Sequence, residues 1–332
     1  MHELAFPLLV SLIVLALAFD FLNGLHDAAN SIATVVSTQL LSPVTAVVFA
    51  AAGNFAAYWI VGLHVAETVG SGIIDKDIVS PAVVFGALIG AMFWNVVTWL
   101  KGIPSSSSHA LIGGLLGAGV AHSGFSAVEV SGTSKTIAAI FLSPVIGFAI
   151  AMFLVLVTSW FFRGVQPKRA EGVLKSLHLV SSAAYSISHG GNDAQKTMGI
   201  ITVLLYSTGY LGGEFHVPEW VVLSCYAAIS LGTLSGGWRI IRTMGTRLTR
   251  LNHHTGFCAS TAGSIVVFAA SAMGIPVSTT HAITGSVIGT GAARRASAVR
   301  WTVASRVAMA WFITIPASAA VGACFYLLTR LF

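Results

Sequence analysis

Apolar runs of roughly the length that a helix needs to cross a bilayer, about 20 residues, recur along the whole chain between short polar stretches. They predict helices over residues 5–38, 43–64, 81–100, 104–121 and 136–162, and again over 177–208, 219–238, 255–273, 276–292 and 302–328. The runs at 104–121 and 276–292 are short and glycine-rich, so each reads either as a span or as a re-entrant hairpin. The polar positions also repeat. Gly102-Ile103-Pro104-Ser105-Ser106-Ser107-Ser108-His109-Ala110 returns as Gly274-Ile275-Pro276-Val277-Ser278-Thr279-Thr280-His281-Ala282, an offset of 172 residues. Gly113, Gly117, Gly119 and Pro144 keep that offset with Gly285, Gly289, Gly291 and Pro316. Upstream, Gly24-Leu25-His26-Asp27-Ala28 pairs with Gly190-Gly191-Asn192-Asp193-Ala194. The chain is a duplication.

Five segments per half is an odd number, so the second copy inserts upside down relative to the first. The expected fold is an all-α polytopic membrane protein of two inverted repeats, with discontinuous helices and re-entrant hairpins. Residues 1–162 form the first repeat, 163–176 a short basic linker and 177–332 the second repeat. Charge agrees with this topology. Arg163, Lys168, Arg169 and Lys175 fall in one loop, Arg239, Arg242, Arg247 and Arg250 two segments later, and Arg294, Arg295, Arg300 and Arg306 two segments after that. All three tracts lie on one side, cytoplasmic by the positive-inside rule, which puts both termini outside a plasma membrane. Topology alone accounts for the tract from Arg239 to Arg250.

Composition removes the competing classes. Asp, Glu, Lys and Arg make up only 8% of the chain and hydrophobic residues 55%, whereas a soluble domain carries about 25% charged residues. A soluble enzyme and a nucleic-acid binder are excluded, and the partner implied is the lipid bilayer. The three cysteines have no metal-site spacing, so no cofactor is expected. Met1 to Pro7 lacks a basic start and carries Glu3, so no cleavable signal is expected.

The chemistry concentrates at the repeated motifs. Ionisable groups at membrane depth cost about 2.5–3.5 kcal/mol on insertion scales, so Asp27 and Asp193 should face a cavity or a partner. Asp20 also sits in an apolar run but has no acidic counterpart. On a helix Asn23, Asp27, Asn30 and Thr34 share one face, as do His189, Asp193 and Lys196. Such oxygen ligands suit Na⁺, or a proton on the carboxylate. Gly24 and Gly190-Gly191 are expected to break their helices there and so free backbone groups. Pro104 and Pro276 suit helix starts. The hydroxyls of Ser106, Ser107 and Ser108, and of Ser278, Thr279 and Thr280, would stand beside unpaired helix N–H groups, a ready site for a tetrahedral oxyanion. His109 and His281 read as hydrogen-bonders to loop backbone. The glycine spacing reads as close helix packing.

On these residues the chain resembles the inorganic phosphate transporter (Pit) family. The motifs that carry the resemblance are Asn23-Gly24-Leu25-His26-Asp27-Ala28-Ala29-Asn30-Ser31, Ser188-His189-Gly190-Gly191-Asn192-Asp193-Ala194-Gln195-Lys196 and the two Pro-Ser/Thr-His stretches, with Gly237-Trp238-Arg239 and Met309-Ala310-Trp311. The resemblance implies symport of inorganic phosphate with a cation. Asp27 and Asp193 would bind or relay that cation, with Asn23, Asn192 and His26 beside them, and a Na⁺ would sit at Asp27 and Asp193. Ser106, Ser107, Ser108, Ser278, Thr279, Thr280, Asn30 and Lys196 would hold phosphate. His26 stands where sodium-coupled members usually show Asn. It is similar to the bacterial low-affinity permeases, which implies H⁺ rather than Na⁺ and admits a divalent metal–phosphate complex as substrate. A homodimer and a monomer both fit the sequence. The competing reading is a sulfate permease of the same superfamily. An enzyme is not expected, because nothing orients His109 or His281 beside a serine nucleophile.

Overall fold

The computed structural model describes residues 6–75 and 78–331. Residue 5, where the first predicted segment begins, and the Met1 to Glu3 start lie outside the described residues. The first half forms helices α1 (Phe6–Ser37), α2 (Pro43–Ala56), α3 (His64–Ser71), α4 (Pro81–Lys101), α5 (Ser107–Ser123) and α6 (Val130–Phe161). The second half repeats the order as α7 (Pro167–Ser207), α8 (Glu219–Ser235), α9 (Trp238–Arg242), α10 (His253–Ala272), α11 (Thr279–Arg294) and α12 (Trp301–Leu328). The fold is all-helical, as the hydrophobic pattern requires.

The second segment of each half breaks, so the five predicted segments become six helices. Pro43–Trp59 and His64–Ser71 meet at 84°, and Glu219–Ser235 and Trp238–Arg247 at 64°. Each break has a local cause. At the first, Gln195 on α7 reaches across and its Oε1 accepts the N–H groups of Val65 and Ala66 at 3.0 and 3.2 Å, capping α3. At the second, Gly236 adopts φ +67°, a conformation that costs glycine little. The expected breaks at Gly24 and Gly190-Gly191 do not occur, since α1 and α7 run through them. Those glycines instead admit a neighbouring helix. A Cβ on Gly24 would sit 2.1 Å from Ile229 O of α8, and one on Gly190 2.5 Å from Asn54 Cα of α2. The discontinuities near the repeated motifs lie in non-helical residues 103–106 and 275–278, just before α5 and α11. The predicted linker 163–176 is a turn followed by the first turns of α7, where Lys175 pairs with Glu171 at 2.9 Å on the exposed surface.

Six helices are long and apolar enough to span a membrane among the described residues, or eight if each bent pair is one span. α7 is not among the six, because its centre is too polar. Every residue from Ser188 to Leu205 is buried. Protein surrounds this stretch, from α1, α2, α3, α8 and α10, so its polar groups meet partners rather than lipid.

The two repeats interlock. α5 packs on α12 of the other half, and α11 on α6. Gly113 and Gly117 of α5 allow this, since added Cβ atoms would lie 2.5 Å from Ile315 O and 2.0 Å from Ala319 O. Gly285 and Gly289 of α11 do the same against Pro144 O and Phe148 O, at 2.2 and 2.3 Å. The cores are shared accordingly. One joins Phe19, Leu88 and Leu115 to Ile201, Ile229 and Tyr326. The other joins Ile32 and Ala46 to Tyr185, Val267 and Ile283. The two halves are copies in sequence, but their buried cores are shared between them.

Gly117→Val should therefore cost about 1–3 kcal/mol of stability or more, as overpacking does. Gly164→Ala, with nothing within 4 Å of the new Cβ, should be neutral. Thermal unfolding of the detergent-solubilised variants checks both, and equal melting temperatures would remove the packing argument.

Candidate functional site

The starts of α5 and α11 meet at the centre of the molecule, between α1 and α7. Ser106 and Ser278 are the N-caps. Their Oγ atoms accept the N–H groups of His109 and His281, each at 3.2 Å. These two predicted substrate residues thus spend their hydroxyls on helix starts. The next hydroxyl of each start turns to its own half's carboxylate. Ser107 Oγ donates to Asp27 Oδ2 at 2.8 Å and also lies 2.5 Å from Asn23 Oδ1. Thr279 Oγ1 donates to Asp193 Oδ2 at 2.9 Å.

The third hydroxyl crosses to the other half. Lys196 on α7 donates to Ser108 Oγ, and Asn30 on α1 donates from Nδ2 to Thr280 Oγ1 at 2.9 Å. Lys196 and Asn30 occupy the same place in the two copies, three residues after the aspartate. Thr280 Oγ1 also reaches Asp27 Oδ1 at 3.4 Å. The two half-sites are therefore one buried cluster, with every one of these side chains at most 3% exposed.

The two carboxylates meet different partners. Lys196 Nζ has three donors and three acceptors: Asp193 Oδ1, Ser108 Oγ and Val277 O, the last at 2.9 Å. Among the described residues Asp27 has no Lys or Arg partner. Its Oδ1 faces His26 Nδ1 at 2.7 Å. The other ring nitrogen, Nε2, lies 3.1 Å from Thr98 Oγ1. Thr98 Oγ1 sends its proton to Trp94 O at 2.9 Å and accepts from Ser105 Oγ at 2.8 Å. Ser105 Oγ also lies 3.4 Å from Nε2. At 2.7 Å, Nδ1 and Asp27 Oδ1 share a proton.

One ligand atom each from Asp27, His189 and Asp193 lies within 4.8 Å of the others, so the carboxylates from the two halves converge. His189 Nδ1 faces Asn54 Oδ1 at 3.1 Å, and its Nε2 lies 3.2 Å from Asp193 Oδ2.

Two expectations change. Asn192 stands beside Asp193 in sequence, but its amide is taken up elsewhere, with Nδ2 on Ser271 Oγ at 2.9 Å and Ile275 O at 3.5 Å. It steadies the chain entering α11, as His26 does through Ser105 for the chain entering α5. His109 and His281 do not bond loop backbone. Their rings meet edge to face at 4.2 Å, and His281 stacks on Trp311 at 3.8 Å. His281 Nδ1 lies 3.4 Å from Ile140 O, a carbonyl of helix α6. They form a plug that locks the two helix starts together. Asp20 is fully buried, and neither carboxyl oxygen has a hydrogen-bond partner among the described residues.

The sequence placed His189 on the Asp193 face without a role, and Ser105 in the repeated motif without one; His189 occupies the place of Asn23 in the second copy. Asn54, Gln195 and Thr98 act through contacts across the fold and carry no local signal.

Lys196→Met should leave Asp193 buried without its cation and cost about 3–5 kcal/mol. Adding Asp193→Asn should recover a large part of that loss. Thermal unfolding of the single and double variants measures the coupling, and a double variant as unstable as the sum of the singles would contradict it.

The model of the phosphate transporter family matches this chain twice, over residues 23–168 and 162–322, once for each repeat. A probable low-affinity inorganic phosphate transporter of Rhizobium meliloti is 62% identical over 323 residues, covering 97% of each chain. One of the same description from Bacillus subtilis is 40% identical over 332 residues, covering 98% of each. Among solved structures, a sodium-dependent phosphate transporter superposes with a TM-score of 0.91 at 25% identity, covering 98% of this chain and 100% of its own. With its duplicated motifs, its membrane helices and these matches, the chain belongs to the phosphate transporter family, and it is a multi-pass membrane transporter rather than an enzyme.

Proposed function

We propose that this protein carries inorganic phosphate across the plasma membrane together with a cation, H⁺ in preference to Na⁺, by alternating access. Phosphate would sit between the starts of α5 and α11, held by Ser107, Ser108, Thr279, Thr280, Asn30 and Lys196. The observation that carries this reading is that the one lysine of the site is already spent on a carboxylate. Lys196 offsets Asp193, and a proton lies between His26 and Asp27. A phosphate anion entering such a buried site adds one or two negative charges with no counter-charge. Burying an unmatched charge costs several kcal/mol, so a cation must enter with it. A neutral divalent metal–phosphate complex satisfies the same constraint.

The proton is favoured because the His26–Asp27 pair already holds one that it can exchange. A cavity of about 60 Å³ lined by His26, Asn95 and Trp99 gives room for water there. The Asn95 amide is buried with no protein partner, as a group that binds water would be. Phosphate is favoured over sulfate on chemistry. Protonated phosphate can donate to an ionised carboxylate, whereas sulfate only accepts. The relatives named above are described for phosphate, and none of them for sulfate. The basic tracts support a cytoplasmic face at Arg163, Arg239–Arg250 and Arg294–Arg306, with both termini outside.

Radiolabelled phosphate uptake into proteoliposomes, driven separately by a pH gradient and by a Na⁺ gradient, tests the coupling. Uptake driven by the pH gradient is expected, and a requirement for Na⁺ would overturn the proton. Asp27→Asn and Asp193→Asn should each abolish uptake while the protein still inserts. Normal uptake by both would sink the carboxylate-centred mechanism. Ser107→Ala with Thr279→Ala should raise the apparent KM for phosphate about tenfold, the loss of roughly 1.4 kcal/mol of binding. An unchanged KM would return these hydroxyls to a capping role.

A further inference from the structure

A cavity of about 660 Å³ opens far from the central cluster, at the other end of α11. Four arginines line it: Arg250 after the α9 turn, Arg294 and Arg295 at the end of α11, and Arg300 before α12. The remaining walls come from Thr246, Thr249, Ser297 and Ala298, so no carboxylate lines it. None of the four arginines is in an ion pair among the described residues. Their own half cannot supply one nearby, because no Asp or Glu follows Glu219 in the sequence.

Topology explains why arginines are on this side. It does not explain why four of them, from three separate stretches of chain, converge on one cavity. Like charges gathered around one cavity repel, and an anion among them relieves that repulsion. The frame that holds them is built. Arg300 N–H donates to Leu248 O at 2.9 Å, and Thr249 Oγ1 to Ala298 O at 3.1 Å. Gly291 lets Thr249 and Val299 close in, since a Cβ there would lie 2.8 and 2.9 Å from their side chains.

The lining offers guanidinium forks and hydroxyls, which pair with the oxygens of a phosphoryl group. The volume lies within the range of small-molecule sites, about 300–1,000 Å³, and is larger than one inorganic phosphate needs. Depth identifies the source. Trp301 follows Arg300 directly, is half exposed, and its indole N–H donates to Ala296 O of the pocket turn at 2.9 Å. An amphipathic indole so placed sits at the level of the lipid headgroups. Basic pockets between membrane helices are where anionic headgroups bind.

We propose that this pocket binds the phosphate-bearing headgroup of an acidic phospholipid, with a two-phosphate headgroup using all four arginines. The ligand would hold the outer end of α11. The inner end carries Thr279 and Thr280, about 22 Å away along a rigid helix. The pocket thus ties the surrounding lipid to the positioning of one helix start at the central site.

The test uses the full-length protein purified into phosphatidylcholine nanodiscs, titrated with cardiolipin, with phosphatidylglycerol and, separately, with soluble tripolyphosphate. Cardiolipin is expected to raise the melting temperature and to be retained through delipidation, as read by native mass spectrometry. Arg250→Gln with Arg295→Gln should cut that retention at least fivefold. Arg163→Gln with Lys168→Gln, in another basic tract, should leave it unchanged. An equal loss in both pairs would reduce the effect to general surface charge and overturn the pocket. Tripolyphosphate binding without lipid retention would overturn the lipid as ligand. Should the arginine variants fail to fold, a photoactivatable cardiolipin on the wild-type protein decides the matter. Labelling at residues 246–250 and 294–300 supports the site, and labelling only elsewhere rejects it.

Discussion

A charge inside a membrane protein must be matched where it stands, and the architecture of this chain follows from matching two. Asp27 and Asp193 lie on the most buried parts of α1 and α7. Each accepts a hydroxyl from a helix start, and each is neutralised by a different means. Lys196 does it with a fixed cation. His26 does it with a shared proton. The rest of the central cluster consists of groups that complete these two matches: Ser108 and Val277 O take the remaining donors of Lys196, and Thr98 takes the second nitrogen of His26.

That asymmetry within a symmetric frame is the functional content of the site. A duplicated gene would place the same residue at 30 and 196, or at 26 and 192. Here one copy has Lys where the other has Asn, and one has His where the other has Asn. The lysine half is permanently satisfied, because a buried ammonium with three acceptors has no reason to lose its proton or its place. The histidine half has an imidazole in place of a fixed cation.

The interlocking of the repeats serves the same end. Two helix starts can meet at the centre only if each helix is supported along its length, and the support comes from the opposite half. Glycines on α5 and α11 bring backbone against backbone on α12 and α6. His109, His281 and Trp311 then close the space between the starts with stacked rings. Movement of one start relative to the other must therefore involve both halves.

Much of this was legible in order and in kind. Hydrophobic runs set the helices, because lipid and helix geometry admit few other readings. The repeated motifs located the carboxylates and hydroxyls, because ionisable groups at membrane depth stand out against an apolar background. The constant offset showed which residues correspond, so Ser107 with Thr279 and Ser108 with Thr280 could be paired before any coordinates. What the sequence alone could not decide is which neighbour each group meets. Glycine permits either a break or a close approach, and only packing against α8 and α2 made Gly24 and Gly190 the latter. Asn192 bonds Ser271 of α10, whereas His26, at the matching place in the other copy, bonds Asp27. Gln195 caps a helix 130 residues distant. Residue types and their period reside in the chain, but partners across space exist only once the two halves have closed on each other.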